Sequence, residues 1–366
     1  MKRRTFFKWS LAGALVAVSG GITARSSMAA NRYYKGPVSD HFDGTRFFNP
    51  GGVEPNGFGD LLRWRFNGQK ATWPETPDPR ATVVKPDAAV NGQALRVTMV
   101  GHASMLIQVA GLNILTDPVW SERASPVSFA GPRRVSPPGI RLEDLPRIDV
   151  VLISHNHYDH LDQPTIASLE EAHKPTFVTP LGNDVFIRKV APDARIALMD
   201  WGDALDVAEG VKIHCEPAHH WSARGLGDRR KALWAAFVLS TPAGRIYHVG
   251  DTGFHDGINY RAAGEKYGSF RLAILPIGAY EPRWFMKGQH QNPDEAIQGM
   301  RLANAASVVG HHFATIQLTD EAMDAPEKAL VAALQKHDID PARVRPLHAG
   351  EVFDVPQDVS AQRTPA

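Results

Sequence analysis

The chain has a single cysteine, Cys215, in 366 residues. An intramolecular disulfide and a cysteine-based zinc finger are both excluded. There is no excess of either charge: 40 Lys and Arg stand against 39 Asp and Glu, a formal net charge of +1. Nucleic-acid binders normally carry a basic surplus, so no nucleic-acid partner is expected. No apolar run reaches the roughly 20 residues that span a bilayer. No Gly-x-Ser-x-Gly elbow occurs, and Cys215 falls within a predicted strand. Serine or cysteine nucleophilic catalysis is therefore not expected. Internal repeats and low-complexity tracts are absent as well. What remains is ordinary globular composition, 43% hydrophobic and 22% charged, enough for one large domain or two smaller ones.

Residues 1–30 read as an address and not as part of a fold. Lys2, Arg3 and Arg4 form a positive start, residues 11–18 a short apolar stretch, and Ser27-Met28-Ala29 a small-x-small cleavage site. The run Lys2-Arg3-Arg4-Thr5-Phe6-Phe7-Lys8 resembles a bacterial twin-arginine signal. Export to the periplasm or cell surface is the expectation, with cleavage near Ala29. Residues 31–93 are rich in Gly, Pro and aromatics and read as an irregular extension wrapped on a core. The domain proper is expected over residues 94–366.

From residue 95 onward short strands alternate with helices. Strands are predicted at 95–100, 105–109, 113–116, 148–153, 176–179, 195–199, 211–216, 234–240, 245–249, 272–276 and 308–309. Helices are predicted at 164–172, 184–190 and 329–336. A further helix should start at Asn292-Pro293-Asp294-Glu295, an N-cap followed by Pro and acids in the first turn, and end near Ala303. Many strands with interspersed helices indicate an α/β domain of layered sheets.

The 16 histidines fall in clusters. The apolar run 148–153 leads into Ser154-His155-Asn156-His157-Tyr158-Asp159-His160. His155 and His157, two residues apart, can point to one centre, and Asp159 with His160 to a second. Imidazole and carboxylate suit zinc and similar ions. Three more predicted strands end in ligand-type residues: Pro217-Ala218-His219-His220-Trp221, Gly250-Asp251-Thr252-Gly253 and Gly310-His311-His312-Phe313. A lone histidine after a strand is usually structural. Four such segments in one chain point to a shared site.

Together these segments resemble the ordered motif set of the metallo-β-lactamase fold. The body is similar to one branch of it, the N-acylphosphatidylethanolamine-hydrolysing phospholipase D family. The resemblance runs from about residue 95 to 355. It rests on Gly101-His102-Ala103, Leu115-Thr116-Asp117-Pro118, Arg123-Ala124-Ser125-Pro126, Gly131-Pro132-Arg133-Arg134, the 152–162 segment, His220-Trp221 and Gly250-Asp251-Thr252-Gly253. The most specific string is Pro276-Ile277-Gly278-Ala279-Tyr280-Glu281-Pro282-Arg283-Trp284-Phe285-Met286, followed by Gln289-His290 and Pro293-Asp294-Glu295-Ala296.

The resemblance implies a four-layer αββα sandwich with two Zn2+ ions per chain. Carried over by position, His155, His157 and His220 bind one zinc. Asp159, His160 and His312 bind the other, and Asp251 bridges both. His220 is taken over His219 because the family has His directly before Trp. His312 is taken over His311 because the pattern His, aromatic, small, Thr matches His312-Phe313-Ala314-Thr315. The implied nucleophile is a metal-bridging hydroxide, with Asp159 or Asp251 orienting it and accepting its proton. The resemblance puts His290 beside the site, against the phosphate or the leaving group.

The implied reaction cleaves N-acylphosphatidylethanolamine to phosphatidic acid and N-acylethanolamine. Such a substrate requires contact with a membrane surface, expected to be peripheral. Phe47, Phe48, Trp64, Trp73, Trp284 and Phe285 are available for it, or else serve as core and staple residues. The resemblance also allows a homodimer. Fold does not fix substrate, so a lactone or a small phosphodiester is the alternative for the same scaffold. A non-catalytic zinc-binding protein is disfavoured, because purely structural sites are closed and usually mononuclear.

Overall fold

The computed structural model describes residues 31–225 and 227–357. The expected signal at 1–30 lies outside the described residues. Two seven-stranded mixed sheets form the centre. The first contains β1 (Leu95–Gly101), β2 (Ser104–Val109), β3 (Leu112–Thr116), β4 (Val150–Leu152), β5 (Thr176–Pro180), β6 (Arg195–Met199) and β14 (Val352–Asp354), in the order β14-β1-β2-β3-β4-β5-β6. The second contains β7 (Ala204–Ala208), β8 (Val211–Glu216), β9 (Ala236–Thr241), β10 (Gly244–His248), β11 (Phe270–Pro276), β12 (Ala305–His311) and β13 (Val344–Pro346), in the order β13-β12-β11-β10-β9-β8-β7.

The strands sort their side chains into three cores by alternation. In β4, Val150 and Leu152 point between the sheets, while Val151 faces the outer side. In β11, Leu272 and Ile274 point between the sheets, and Ala273 and Leu275 face outward. Helices cover both outer faces. Ile166 and Leu169 of α2 (Gln163–His173) and Ile187 of α3 (Asp184–Arg188) pack on the first sheet. Tyr260 and Ala263 of α4 (Ile258–Tyr267), Ile297 and Met300 of α6 (Pro293–Leu302) and Leu330 and Leu334 of α7 (Ala325–Lys336) pack on the second. The result is the four-layer αββα sandwich. Strands buried on both faces read as continuous apolar runs, as residues 148–153 do.

The start of α6 follows its sequence signal. Asn292 Oδ1 accepts from Glu295 N–H at 2.9 Å, and Glu295 Oε2 accepts from Asn292 N–H at 2.9 Å, a capping box. Other features run against the sequence expectation. The extension is not irregular throughout, since it carries α1 (Phe58–Asn67), ten residues with no buried side chain. Strands β7, β13 and β14, helix α4 and the short helix at Arg283–Met286 have no counterpart among the predicted elements. β7 is a short edge strand beside its neighbour β8, β13 and β14 are three-residue strands that pair with the remote β12 and β1, and α4 is weakly periodic.

The extension's aromatics do several different jobs. Phe47 is fully buried against Phe42. Trp64 of α1 lies against Phe285 at 4.8 Å between ring centroids, and its Nε1 donates to Asp320. Trp73 Nε1 donates to the Glu321 carbonyl. These are staples. Helix α1 leaves large apolar side chains exposed at Phe58 (69% exposed), Leu61 (43%), Leu62 (40%) and Phe66 (82%), and Trp284 is half-exposed too. The α1 residues share one side of the helix, spaced i, i+3, i+4 and i+8. Trp64 is on the side turned to the protein. No described helix is long and apolar enough to cross a membrane.

Candidate metal centre

Five segments converge at one edge of the two sheets: the turn between β1 and β2, and the chain following β4, β8, β10 and β12. A sixth segment, after the short helix α5 (Arg283–Met286), adds His290. The first donor group is His155, His157 and His220. His157 Nδ1 is 2.9 Å from His155 Nε2 and 3.2 Å from His220 Nε2. In the second, His312 Nε2 lies 3.2 Å and His160 Nε2 3.5 Å from Asp159 Oδ2. Asp251 Oδ2 lies 3.2 Å from both His160 Nε2 and His312 Nε2. It also lies 3.9 Å from His155 Nε2 and 3.7 Å from His220 Nε2. One carboxylate oxygen thus faces both groups.

These separations fit metal ions. A tetrahedral ion with bonds of about 2.0–2.2 Å holds its donors roughly 3.3–3.6 Å apart. Without an ion, His160 Nε2, His157 Nε2 and Asp251 Oδ1 are buried with no hydrogen-bond partner, an arrangement that costs free energy. Of these, His160 Nε2 is the atom that faces Asp159 Oδ2 and Asp251 Oδ2 in the second donor group.

The electrostatics fit as well. Burial, then neighbouring imidazoles, pushes His155 well below its ordinary value. Burial, then His220, brings His157 down to about 3, and burial brings His220 to about 4. These three rings are neutral at pH 7, as metal ligation would require. Burial opposes ionisation of Asp159 and Asp251, but His160 and its neighbours outweigh it and hold both carboxyls well below the usual range. His160 is held well above its ordinary value and His312 at about 9, burial being outweighed by Asp251 and the other carboxylates. An ion bound there must displace those protons.

His219 and His311 stand apart from the cluster. His219 turns to Asn259, whose Nδ2 is 3.0 Å from its Nδ1, and stacks near His255 at 4.2 Å. His311 is fully buried beside His248, with both ring nitrogens unpartnered. His290 comes closer than the sequence reading required. It sits within ligand range of His220 and Asp251, and its Nδ1 has no partner. Burial holds it neutral, well below its ordinary value. Its loop is fixed by Arg283, which donates to the His290 carbonyl and pairs through Nη2 with Glu295. Gln291 N–H donates to the Thr252 carbonyl, next to Asp251.

Two further residues belong to the site. Asp117, after β3, accepts from Ser154 N–H at 2.7 Å, from Ser154 Oγ at 2.8 Å and from His160 Nδ1 at 2.9 Å. That bond leaves Nε2 of His160 as the metal-facing atom. His102 reaches Asp159 from the β1–β2 turn at 3.0 Å. Both stand in motifs quoted above, but sequence gave neither a role. The available signal was a polar residue immediately after an apolar strand.

The extension closes over this edge. Asn49 Nδ2 donates to the His220 carbonyl, Gln289 Nε2 to the Val53 carbonyl, and Asn56 Nδ2 to the Phe285 carbonyl. Helix α1 is therefore pinned beside the centre.

A family model described as Beta-lactamase superfamily domain matches residues 112–313. N-acyl-phosphatidylethanolamine-hydrolyzing phospholipase D 1 of Caenorhabditis elegans is 41% identical over 229 residues, covering 60% of this chain and 64% of that protein. The chain thus matches just under two thirds of that relative's length. A metal-dependent hydrolase of Pyrobaculum islandicum is 30% identical over 228 residues, covering 61% of this chain and 86% of that protein. Among solved structures, isothiocyanate hydrolase from Delia radicum gut bacteria shares the fold, with a TM-score of 0.56 and 20% identity over 71% of this chain and 99% of that one. The chain belongs to the beta-lactamase superfamily of metal-dependent hydrolases, in the branch that contains the N-acylphosphatidylethanolamine-hydrolysing phospholipases D.

Proposed function

We infer that the protein is a zinc-dependent phosphodiesterase that cleaves N-acylphosphatidylethanolamine-type phospholipids to phosphatidic acid and N-acylethanolamine. The observation that carries the catalytic reading is Asp251 Oδ2, which faces both donor groups at once. Two ions sharing one carboxylate suit a phosphoryl group with an attacking and a leaving oxygen. His155, His157 and His220 would hold one ion. Asp159, His160 and His312 would hold the other, with Asp251 between them. Bound there, the ions supply Lewis acidity and an acidified water.

The chain's own groups have distinct tasks. Asp159 and Asp251, held as carboxylates, orient the attacking water by accepting its hydrogen bonds. Asp117 keeps His160 in one tautomer. His290 carries an unpartnered Nδ1 on a neutral ring, placed to hydrogen-bond a phosphoryl or leaving oxygen. Water adds to phosphorus, the bond from phosphorus to the ethanolamine oxygen breaks, and that oxygen takes up a proton.

The substrate reading is supported by the C. elegans relative and by helix α1. Phe58, Leu61, Leu62 and Phe66 offer an apolar face, with Arg63, Arg65 and Lys70 against Asp60 nearby. Asp320 and Glu321 lie beside Lys70, so the apolar face carries the case for peripheral docking on a lipid surface. The twin-arginine-type start supports export to the periplasm or cell surface.

The test is direct. Zinc-loaded protein is mixed with N-acylphosphatidylethanolamine vesicles and the products are identified by mass spectrometry. Phosphatidic acid with N-acylethanolamine, lost on chelation and restored by zinc, is the expected result. Intact lipid beside a fully metal-loaded protein would reject the lipid and direct the search to lactones or small phosphodiesters.

A further inference from the structure

The turn between β1 and β2 carries a histidine that the seven expected ligands leave without a task. His102 is 2% exposed and has φ of +59°. That left-handed backbone disfavours a residue with a Cβ, and Gly or Asn is the usual occupant. Both of its backbone groups are used. Its N–H donates to Thr315 Oγ1, and its carbonyl accepts from His312 N–H, each at 2.9 Å. A glycine would make the same two bonds without strain. What the histidine adds is its ring.

That ring faces the second donor group. Nε2 is 3.0 Å from Asp159 Oδ2, and the ring centroid is 4.0 Å from that of His312. His102, Asp159, His160 and His312 all lie within ligand range of one another. An extra ligand and a hydrogen-bond donor to the ligand Asp159 are therefore the two available roles. The pattern of approaches separates them. His160 and His312 each approach both Asp159 Oδ2 and Asp251 Oδ2. Among the described residues, His102 pairs with Asp159 but not with Asp251. It therefore stands on the outer side of Asp159, away from the point that the other donors surround.

We propose that His102 is a positioning residue for the second metal, its Nε2–H donating to Asp159 Oδ2 while its backbone holds the His312 turn. The ring sets one ligand and the peptide sets another, so a single residue of the β1–β2 turn holds one donor that follows the first sheet's β4 and one that follows the second sheet's β12. This rests on the metal reading of the cluster and not on any substrate.

The experiment measures metal binding by the full chain. Metal-stripped protein is titrated with Zn2+ under chelator competition, and Co2+ binding is followed by visible absorption. Wild type is compared with His102→Ala, His102→Gly and His102→Gln. Wild type should bind two ions. In His102→Ala and His102→Gly one ion should weaken by about 10- to 100-fold, as expected for loss of a partner behind a ligand, and the other should be unchanged. His102→Gln, whose amide can donate in place of Nε2–H, should recover most of the loss even if the alanine protein folds poorly. At saturation the Co2+ bands should keep their wild-type positions. Wild-type affinity in His102→Ala overturns the proposal. So does wild-type affinity in His102→Gly, which would reduce the role to the backbone. Altered Co2+ bands at saturation would make His102 a ligand and overturn it too. A wild-type protein that binds fewer than two ions removes the metal reading itself.

Discussion

His160 and Asp117 tie the centre to the scaffold: Nδ1 and Oδ2 are 2.9 Å apart, and both side chains are fully buried. The carboxylate also accepts from Ser154 N–H and Oγ. It therefore fixes the ring and the backbone that precedes His155. Replacing Asp117 by Asn removes the charge and presents an amide that can donate to Nδ1, which favours the wrong tautomer. One metal should weaken by about 10- to 100-fold. Chelator competition measures this, and unchanged affinity for both ions would show that the pair is only structural.

Removing metal should lower thermal stability. Converging lone pairs and carboxylates repel one another in the metal-free protein, and the ions bind only the folded arrangement. With free zinc at 100 times its dissociation constant, each site adds about 2.7 kcal/mol. Calorimetry with and without chelator should show a clear drop in the midpoint. Equal midpoints would mean that the cluster holds no metal.

The metal-free protein should be most stable near pH 6.5, the ordinary imidazole value. His157 at about 3, and His102 and His220 at about 4, stay neutral when folded. The unfolded chain takes up those protons as pH falls below about 6.5, so stability is lost from there towards pH 4. His312, held at about 9, acts in the opposite direction. Its stabilising contribution is complete below about 6.5 and is lost as pH rises towards 9. Denaturant midpoints across pH 4 to 9 should trace a dome. A monotonic profile would contradict these assignments.

His290→Ala should keep both metals and lower turnover by roughly 10²-fold or more, the range for a lost proton-transfer or hydrogen-bonding group. Because His290 sits within range of His220 and Asp251, metal content must be measured on the same sample. Loss of an ion would reassign it as a ligand.

Phe58→Ser with Phe66→Ser tests the exposed face of α1. Burying a phenylalanine in lipid is worth about 1.5–3 kcal/mol. With both side chains removed, vesicle binding should fall by about two to four orders of magnitude, and turnover of a soluble short-chain substrate should be unchanged. Equal losses on both substrates would place α1 in the catalytic fold and not at the membrane.

Much of the centre was legible because its residues lie at strand ends. The apolar run before Ser154 marks β4, and the histidines that follow it cannot continue a buried strand. Asp251 and His312 stand at similar breaks. The family pattern singles out His220 and His312 from the two histidine pairs, and the fold turns these two into the donor groups and His219 and His311 elsewhere. Period-two alternation says that neighbours diverge but not which one faces the site. His102 and Asp117 were in view as letters without a role. Their partners, Asp159 and His160, are distant in sequence, and nothing local indicates the pairing.

The extension shows the same division from the other side. Its aromatic content was plain, but Phe47 goes to the core, Trp64 and Trp73 to hydrogen-bonded staples, and Phe58 and Phe66 to solvent. Composition cannot sort these, because an aromatic side chain is apolar wherever it sits. The succession of strands along the chain, the ends of the apolar runs and the donor types were set by the linear chain, through periodicity and capping. Only the tertiary structure decided which donors meet, which oxygen of Asp251 faces both groups and which face of α1 stays uncovered. Those depend on contacts between residues far apart in sequence, where side-chain direction and burial are set jointly by both partners.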